Sequence, residues 1–137
     1  VLASLTPEKH DIRLHDENVS DYVYRDDVDL VGLSVMTARA TRAYEIADEY
    51  RKRGVPVVFG GSHPTLLPDE SMTHADSIVM GEAELTWPQL LEDVENNKLQ
   101  QVYKSPRWVD MDEVPIPRRD LISAKATFGA TSIQATR

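Results

Sequence analysis

Two short, almost wholly apolar runs, Leu30-Val31-Gly32-Leu33-Ser34-Val35-Met36 and Val55-Pro56-Val57-Val58-Phe59, stand either side of one amphipathic stretch, with very few residues left for the joins. Runs this short and this apolar suit strands covered on both faces, which is the condition of a parallel sheet. Between them, residues 39–53 place Ala40, Ala43, Tyr44, Ala47 and Tyr50 at spacings of three and four, with Arg42, Glu45, Asp48, Glu49 and Arg51 largely opposite. That is the stripe of a helix of about four turns. Gly54 suits the left-handed position past a helix end, and Pro56 reinforces the stop. Strand, helix and strand joined this tightly make a βαβ unit, so the sheet is parallel.

The pattern then repeats. Pro68-Asp69-Glu70 suits the first turn of a short helix, where Pro lacks no needed N–H and acidic groups face the positive end of the dipole. Asp76-Ser77-Ile78-Val79-Met80 reads as a third buried strand ending at Gly81. Thr86 is a candidate cap for the next helix, with Pro88 in its first turn and Trp87, Leu90, Leu91 and Val94 at i, i+3, i+4 and i+7; Asn96-Asn97 ends it. The expected architecture is α/β, a doubly wound parallel sheet. Before it, Val1–Leu5 reads as the last turn of a helix stopped by Pro7. His10–His15 alternates with Ile12 and Leu14 on one side, the period of an edge strand. Residues 19–28, polar and acidic with Tyr22 and Tyr24, read as a loop or short helix. After it, Val102 and Tyr103 fit a short edge strand, while Pro106, Pro115 and Pro117 mark an extended linker. The Thr-, Ala- and Ser-rich stretch 126–137 fits a strand of a following domain. The expected division is a domain over 1–100, a linker over 101–125, and the start of a further domain over 126–137.

Composition removes several classes of function. At 137 residues with 41% apolar and 28% charged side chains, the chain suits one globular domain. A net charge of -8 would repel a phosphate backbone, so nucleic acid is not an expected partner. No run approaches the ~20 apolar residues of a membrane span. There is no cysteine, which excludes disulfides, thiolate nucleophiles and cysteine-ligated clusters within these residues. A chain opening on Val1 without a signal sequence reads as a piece of something longer.

In an open parallel sheet, ligands bind beyond the carboxyl ends of the strands. Three such ends carry Ser34 to Thr37, Gly60-Gly61-Ser62-His63-Pro64-Thr65, and Gly81-Glu82-Ala83-Glu84-Leu85-Thr86. Adjacent glycines permit close backbone approach, and the hydroxyls of Ser34, Thr37, Ser62, Thr65 and Thr86 offer uncharged hydrogen bonds. The rim this outlines is polar and neutral, suited to a large ligand rich in amides or phosphate. No Gly-x-Gly-x-x-Gly and no Walker-type lysine is present. Plainer readings stand beside these. Gly60-Gly61 also fits a simple turn, His63 a solvated or backbone-bonded imidazole, and Glu82 with Glu84 a solvated pair. His10, His15 and His74 lack metal-ligand spacing and read as surface residues, the tyrosines and Trp87 as packing. No catalytic dyad, triad or metal site assembles.

Taken in order, the strand ends resemble a known family. Asp16-Glu17-Asn18, Asp29 to Thr37, Gly60-Gly61-Ser62-His63-Pro64-Thr65-Leu66-Leu67-Pro68-Asp69-Glu70, and Gly81-Glu82-Ala83-Glu84 are together similar to the N-terminal cobalamin-binding domain of radical S-adenosylmethionine proteins, and within these to the Fe-S oxidoreductases and magnesium-protoporphyrin IX monomethyl ester oxidative cyclases. The resemblance spans residues 1 to about 120. Pro115-Ile116-Pro117-Arg118-Arg119-Asp120 resembles the linker before the family's catalytic barrel, and Ser132 to Arg137 the barrel's first strand, which in the family leads into a three-cysteine motif absent here.

The resemblance implies a flavodoxin-like or Rossmann-like cobalamin-binding fold lacking its first strand, which would lie upstream of Val1. It implies cobalamin as the cofactor of this chain, with a 4Fe-4S cluster and S-adenosylmethionine only in the full-length protein. The fragment itself would not be catalytic; the parent, a cytoplasmic methyltransferase or oxidative cyclase, would present the corrinoid to its radical barrel. Carried over by position, Ser34, Thr37, Gly60, Gly61, His63, Gly81, Glu82 and Glu84 would line the corrin and its nucleotide tail. The axial-histidine motif of other cobalamin domains would follow the missing strand. An open sheet edge left there would favour homodimerisation or pairing with the C-terminal segment. The alternative of another class is a flavodoxin-like or receiver-like interaction module without cofactor, against which Met36-Thr37 stands where a receiver places its phosphorylated Asp; a flavin or nucleotide-sugar enzyme rests on fold analogy alone.

Overall fold

The structure is a computed structural model that describes residues 1–122. Its elements are α1 (Leu2–Leu5), β1 (Val31–Ser34), α2 (Ala40–Lys52), β2 (Val57–Gly60), α3 (Ser62–Leu66), α4 (Pro68–His74), β3 (Ser77–Met80), α5 (Trp87–Glu95) and β4 (Val102–Lys104), with single 3-10 turns at Thr37–Arg39, Met111–Glu113 and Arg119–Leu121. The four strands form one sheet in the order β1-β2-β3-β4. All three pairings are parallel, with Leu33 beside Phe59, Phe59 beside Ile78 and Val79 beside Tyr103.

Because successive strand residues face opposite ways, β2 feeds two cores. Val57 and Phe59 pack with Val31, Ile78, Ile46, Ala47 and Tyr50 beneath α2 and α4. Val58 packs with Val79, Tyr103, Leu90 and Leu91 beneath α5. Helices therefore cover both faces, as the apolar runs require. Each fully buried side chain of this size contributes about 1.5–3 kcal/mol. Gly54 takes the left-handed conformation past α2, at φ 77°. β2 starts later than its apolar run because the N–H of Val55 closes on the Tyr50 carbonyl and Pro56 has none to give.

Two expectations are corrected. Residues 10–15 form no strand: Leu14 is 59% exposed and Arg13 is held by Asp11 and Asp27, so the alternation of two apolar residues buries no continuous apolar face. Thr86 stands at the cap position of α5, but its Oγ1 donates to the Ala83 carbonyl at 3.2 Å rather than capping. Residues 62–66, which follow the strand end at Gly60-Gly61, are the short helix α3; Pro64 is tolerated because a helix's first N–H groups have no internal partner. The expected strand over 126–137 lies outside the described residues. Among the described residues no helix is long and apolar enough to cross a membrane.

α5 is tied to β4 by one buried carboxylate. Asp93 accepts from Tyr103 Oη (2.6 Å) and from the side-chain amides of Gln100 (2.8 Å) and Gln89 (2.9 Å). The Tyr103 bond, then the two glutamines, hold the Asp93 carboxyl below its ordinary value. A depressed folded pKa adds stability that is present above the unfolded value of about 3.9 and is lost as pH falls through the folded one. Asp93→Asn is therefore expected to lower stability at neutral pH and to flatten its decline below about pH 4, measured by urea unfolding across acid pH. A decline as steep as in the unsubstituted chain would sink this account.

Candidate functional site

β1, β2 and β3 run parallel, so their carboxyl ends open on one edge, where an open groove of ≈ 920 Å³ lies. Ser34 supplies its wall from β1, Gly61, Ser62 and Thr65 from the turn after β2, and Gly81, Glu82 and Glu84 from the turn after β3, with Val1, Leu2 and Leu66 as its apolar side. Five of the eight residues anticipated from sequence meet here, together with Ser62 and Thr65.

The groove's floor is set by backbone. Gly61 has φ 97° and ψ -166°, a region essentially confined to glycine. A Cβ there would sit 2.9 Å from the Val35 carbonyl oxygen. The same carbonyl accepts from the His63 N–H, at 3.0 Å, which draws the start of α3 onto the end of β1. Thr65 Oγ1 donates to the Gly61 carbonyl at 2.9 Å and accepts from the Gly81 N–H at 3.0 Å, joining the second and third turns. Gly81 takes φ 76°. Gly60 stands beneath the rim, its carbonyl accepting from Val35 N at 2.8 Å.

The two glutamates are not a freely solvated pair. Both are half-buried, and a Glu82 carboxylate oxygen accepts from the Val109 N–H at 2.7 Å, fastening the segment after β4 to the rim. That segment continues to α1, where Ser4 Oγ donates to the Ile116 carbonyl at 2.7 Å.

Thr37 and His63 lie apart from the groove lining, towards α2 and α4. The His63 side chain is neither solvated nor bonded to backbone: the residue is 1% exposed, with Nε2 2.5 Å from Tyr44 Oη and Nδ1 3.3 Å from Thr37 Oγ1. Tyr44 Oη donates to Glu70 at 2.9 Å. Burial and the Glu70 bond push the Tyr44 phenol up to about 12, with the Ser71 hydroxyl acting against them. His74, read as a surface residue, stacks on the Tyr44 ring at 4.0 Å and is held by Asp48 at 3.0 Å. Tyr44 and Glu70 were not anticipated in this role; the signal open to view was a tyrosine on the inward stripe of α2 and a glutamate one turn into α4. Among the described residues no group of side chains is placed to hold a metal ion.

The donor set is hydroxyl, backbone N–H and glycine, with two carboxylates at one side. It suits a bulky, largely uncharged ligand with many hydrogen-bonding groups. The family model for the B12 binding domain matches residues 4–91. The chain is 54% identical over 106 residues to the bacteriochlorophyllide d C-8(2)-methyltransferase of Chlorobaculum tepidum, covering 77% of this chain and 24% of that protein. It is 33% identical over 119 residues to the bacteriochlorophyllide d C-12(1)-methyltransferase of the same organism, covering 85% and 26%. With an uncharacterized methyltransferase of Pyrococcus horikoshii it shares 30% identity over 149 residues, covering 88% and 32%. The chain thus spans about a quarter to a third of the length of these relatives. No solved structure matches.

Proposed function

Because the chain belongs to the B12-binding domain family, we propose that it is the cobalamin-holding module of a radical S-adenosylmethionine methyltransferase, and that the groove at the carboxyl edge is where the corrinoid sits. The observation that carries this is the glycine-floored groove itself. A ring bearing amides all round needs backbone close by and neutral donors and acceptors, and Gly61, Gly81, Ser34, Ser62 and Thr65 supply both. A Cβ at Gly61 would collide with the end of β1, so only glycine lets this turn lie close against it and form the floor of the groove.

In this reading Ser34, Gly61, Gly81, Glu82 and Glu84 meet the ligand in the groove, the exposed Thr37 meets the part of it that overhangs the end of β1, and Gly60 and His63 shape the rim from behind. A bound corrinoid supplies a cobalt centre able to carry a methyl group. The chain's own residues bind and orient it, and the apolar side formed by Val1, Leu2 and Leu66 limits water. The names of the curated relatives support methyl transfer over oxidative cyclisation as the parent's reaction. The 4Fe-4S cluster, S-adenosylmethionine, the barrel beginning within 126–137 after a linker over 101–125, and a cytoplasmic setting all belong to this proposal. So does pairing between copies along β1, which has a strand on one side only among the described residues.

The test is direct. Hydroxocobalamin added to the chain is expected to co-elute with it on gel filtration and to change its visible spectrum. Free elution with an unaltered spectrum, both for this chain and for a longer one extended at each end, would remove the corrinoid reading.

A further inference from the structure

Thr37, His63, Tyr44 and Glu70 form an unbroken line of hydrogen bonds, from the end of β1 through α3 and α2 to α4, at 3.3, 2.5 and 2.9 Å. Proton bookkeeping gives the line a direction. An ionised carboxylate only accepts, so the single phenolic hydrogen of Tyr44 is committed to Glu70. His63 Nε2 must then donate to the phenolic oxygen. A neutral imidazole carries one ring hydrogen, which leaves Nδ1 as an acceptor, filled by the Thr37 hydroxyl. Every hydrogen points from the strand end towards Glu70.

We infer that these four residues are a directional relay in which Glu70 fixes the His63 tautomer and, through it, the polarity of the Thr37 hydroxyl at the carboxyl edge of the sheet. With Glu70 accepting, Thr37 spends its hydrogen inward and turns only lone pairs outward, so the ligand group it receives is a donor such as an amide N–H. Remove the acceptor at 70, and the Tyr44 hydrogen turns to His63 Nε2. The imidazole then carries its hydrogen on Nδ1, Thr37 accepts, and the threonine hydrogen faces out. His63 and Tyr44 are positioning residues here. Their surroundings suit a fixed geometry: Tyr44 lies between His74, stacked at 4.0 Å and held by Asp48, and Phe59, with ring centroids 6.0 Å apart. The identity of the ligand rests on the corrinoid reading; the relay does not.

Long-range nitrogen–proton correlation spectra of the nitrogen-15-labelled chain, recorded at about pH 8, read the tautomer directly. His63 is expected as the Nε2–H form, retained in Glu70→Gln, whose amide oxygen still accepts, and exchanged for the Nδ1–H form in Glu70→Leu. Thr37→Val tests the other end: the tautomer stays and the Nδ1 resonance moves towards that of an unbonded ring nitrogen. Hydroxocobalamin affinity should fall about three- to tenfold in Glu70→Leu, the worth of one hydrogen bond, and hold in Glu70→Gln. An Nδ1–H ring in the unsubstituted chain, or a tautomer indifferent to Glu70→Leu, overturns the relay. Should Glu70→Leu fail to fold, an unmoved Nδ1 resonance in Thr37→Val overturns it equally. An exchanged tautomer with unaltered affinity overturns the part given to Thr37. If hydroxocobalamin binds to no version of the chain, the corrinoid reading falls, and the tautomer spectra still uphold or overturn the relay.

Discussion

Gly61→Ala is expected to abolish retention of hydroxocobalamin and to destabilise the chain by roughly 2–5 kcal/mol, the sum of a strained backbone and an overfilled contact. Both costs arise at one atom. The residue's φ of 97° with ψ of -166° is poor for any side chain, and the added Cβ would meet the Val35 carbonyl oxygen at 2.9 Å. That oxygen is backbone in the body of the sheet's edge and already holds the His63 N–H, so it has little room to yield. The turn would have to move, and Ser62 and Thr65 with it. Gly60→Ala is the matched control: nothing lies within 4 Å of a Cβ there, and its φ is not positive. Equal stability and equal ligand retention in the two variants would show that the turn is not set in this way.

Phe59→Ala is expected to cost about 3–5 kcal/mol, the range for deleting a fully buried aromatic side chain. Against a total stability of about 5–15 kcal/mol for a domain of this kind, that is most of the reserve. Phe59 is 0% exposed and is flanked in register by Leu33 and Ile78, at the middle of the larger core. Its ring also lies near parallel to that of Tyr44, at 18°, so the void would open beside the relay. Phe59→Leu should recover more than half of the loss, since it keeps volume. Guanidinium unfolding measures both; a cost below about 1 kcal/mol for alanine would mean that the site collapses around the gap.

The parts of the fold that were plain in the sequence are those with a long period or an unmixed run. The stripe Ala40 to Tyr50 could only be a helix, and Val57 to Phe59 could only be interior. The failures were short. His10 to His15 had the right alternation, but strand pairing is a property of two segments, and one segment cannot reveal whether another lies beside it. α3 escaped because Pro64 reads as a breaker until it is placed in a first turn. At the site, the glycines and hydroxyls of the groove were legible, because each follows a buried strand and the topology decides where strand ends meet. Tyr44 and Glu70 were not, because their meeting with His63 depends on how α2 and α4 lie across the sheet, and no spacing within either helix encodes that.

The Thr65 hydroxyl, bonded at once to the turn after β2 and to the turn after β3, has a kinetic meaning. Two loops that would otherwise fluctuate separately are held as one surface by an atom whose hydrogen is committed within the protein. The entropy of ordering them is charged to folding and not to the encounter with a ligand. An arriving molecule meets a floor already in shape, and its residence time is then governed by the contacts it makes rather than by the closing of a loop over it.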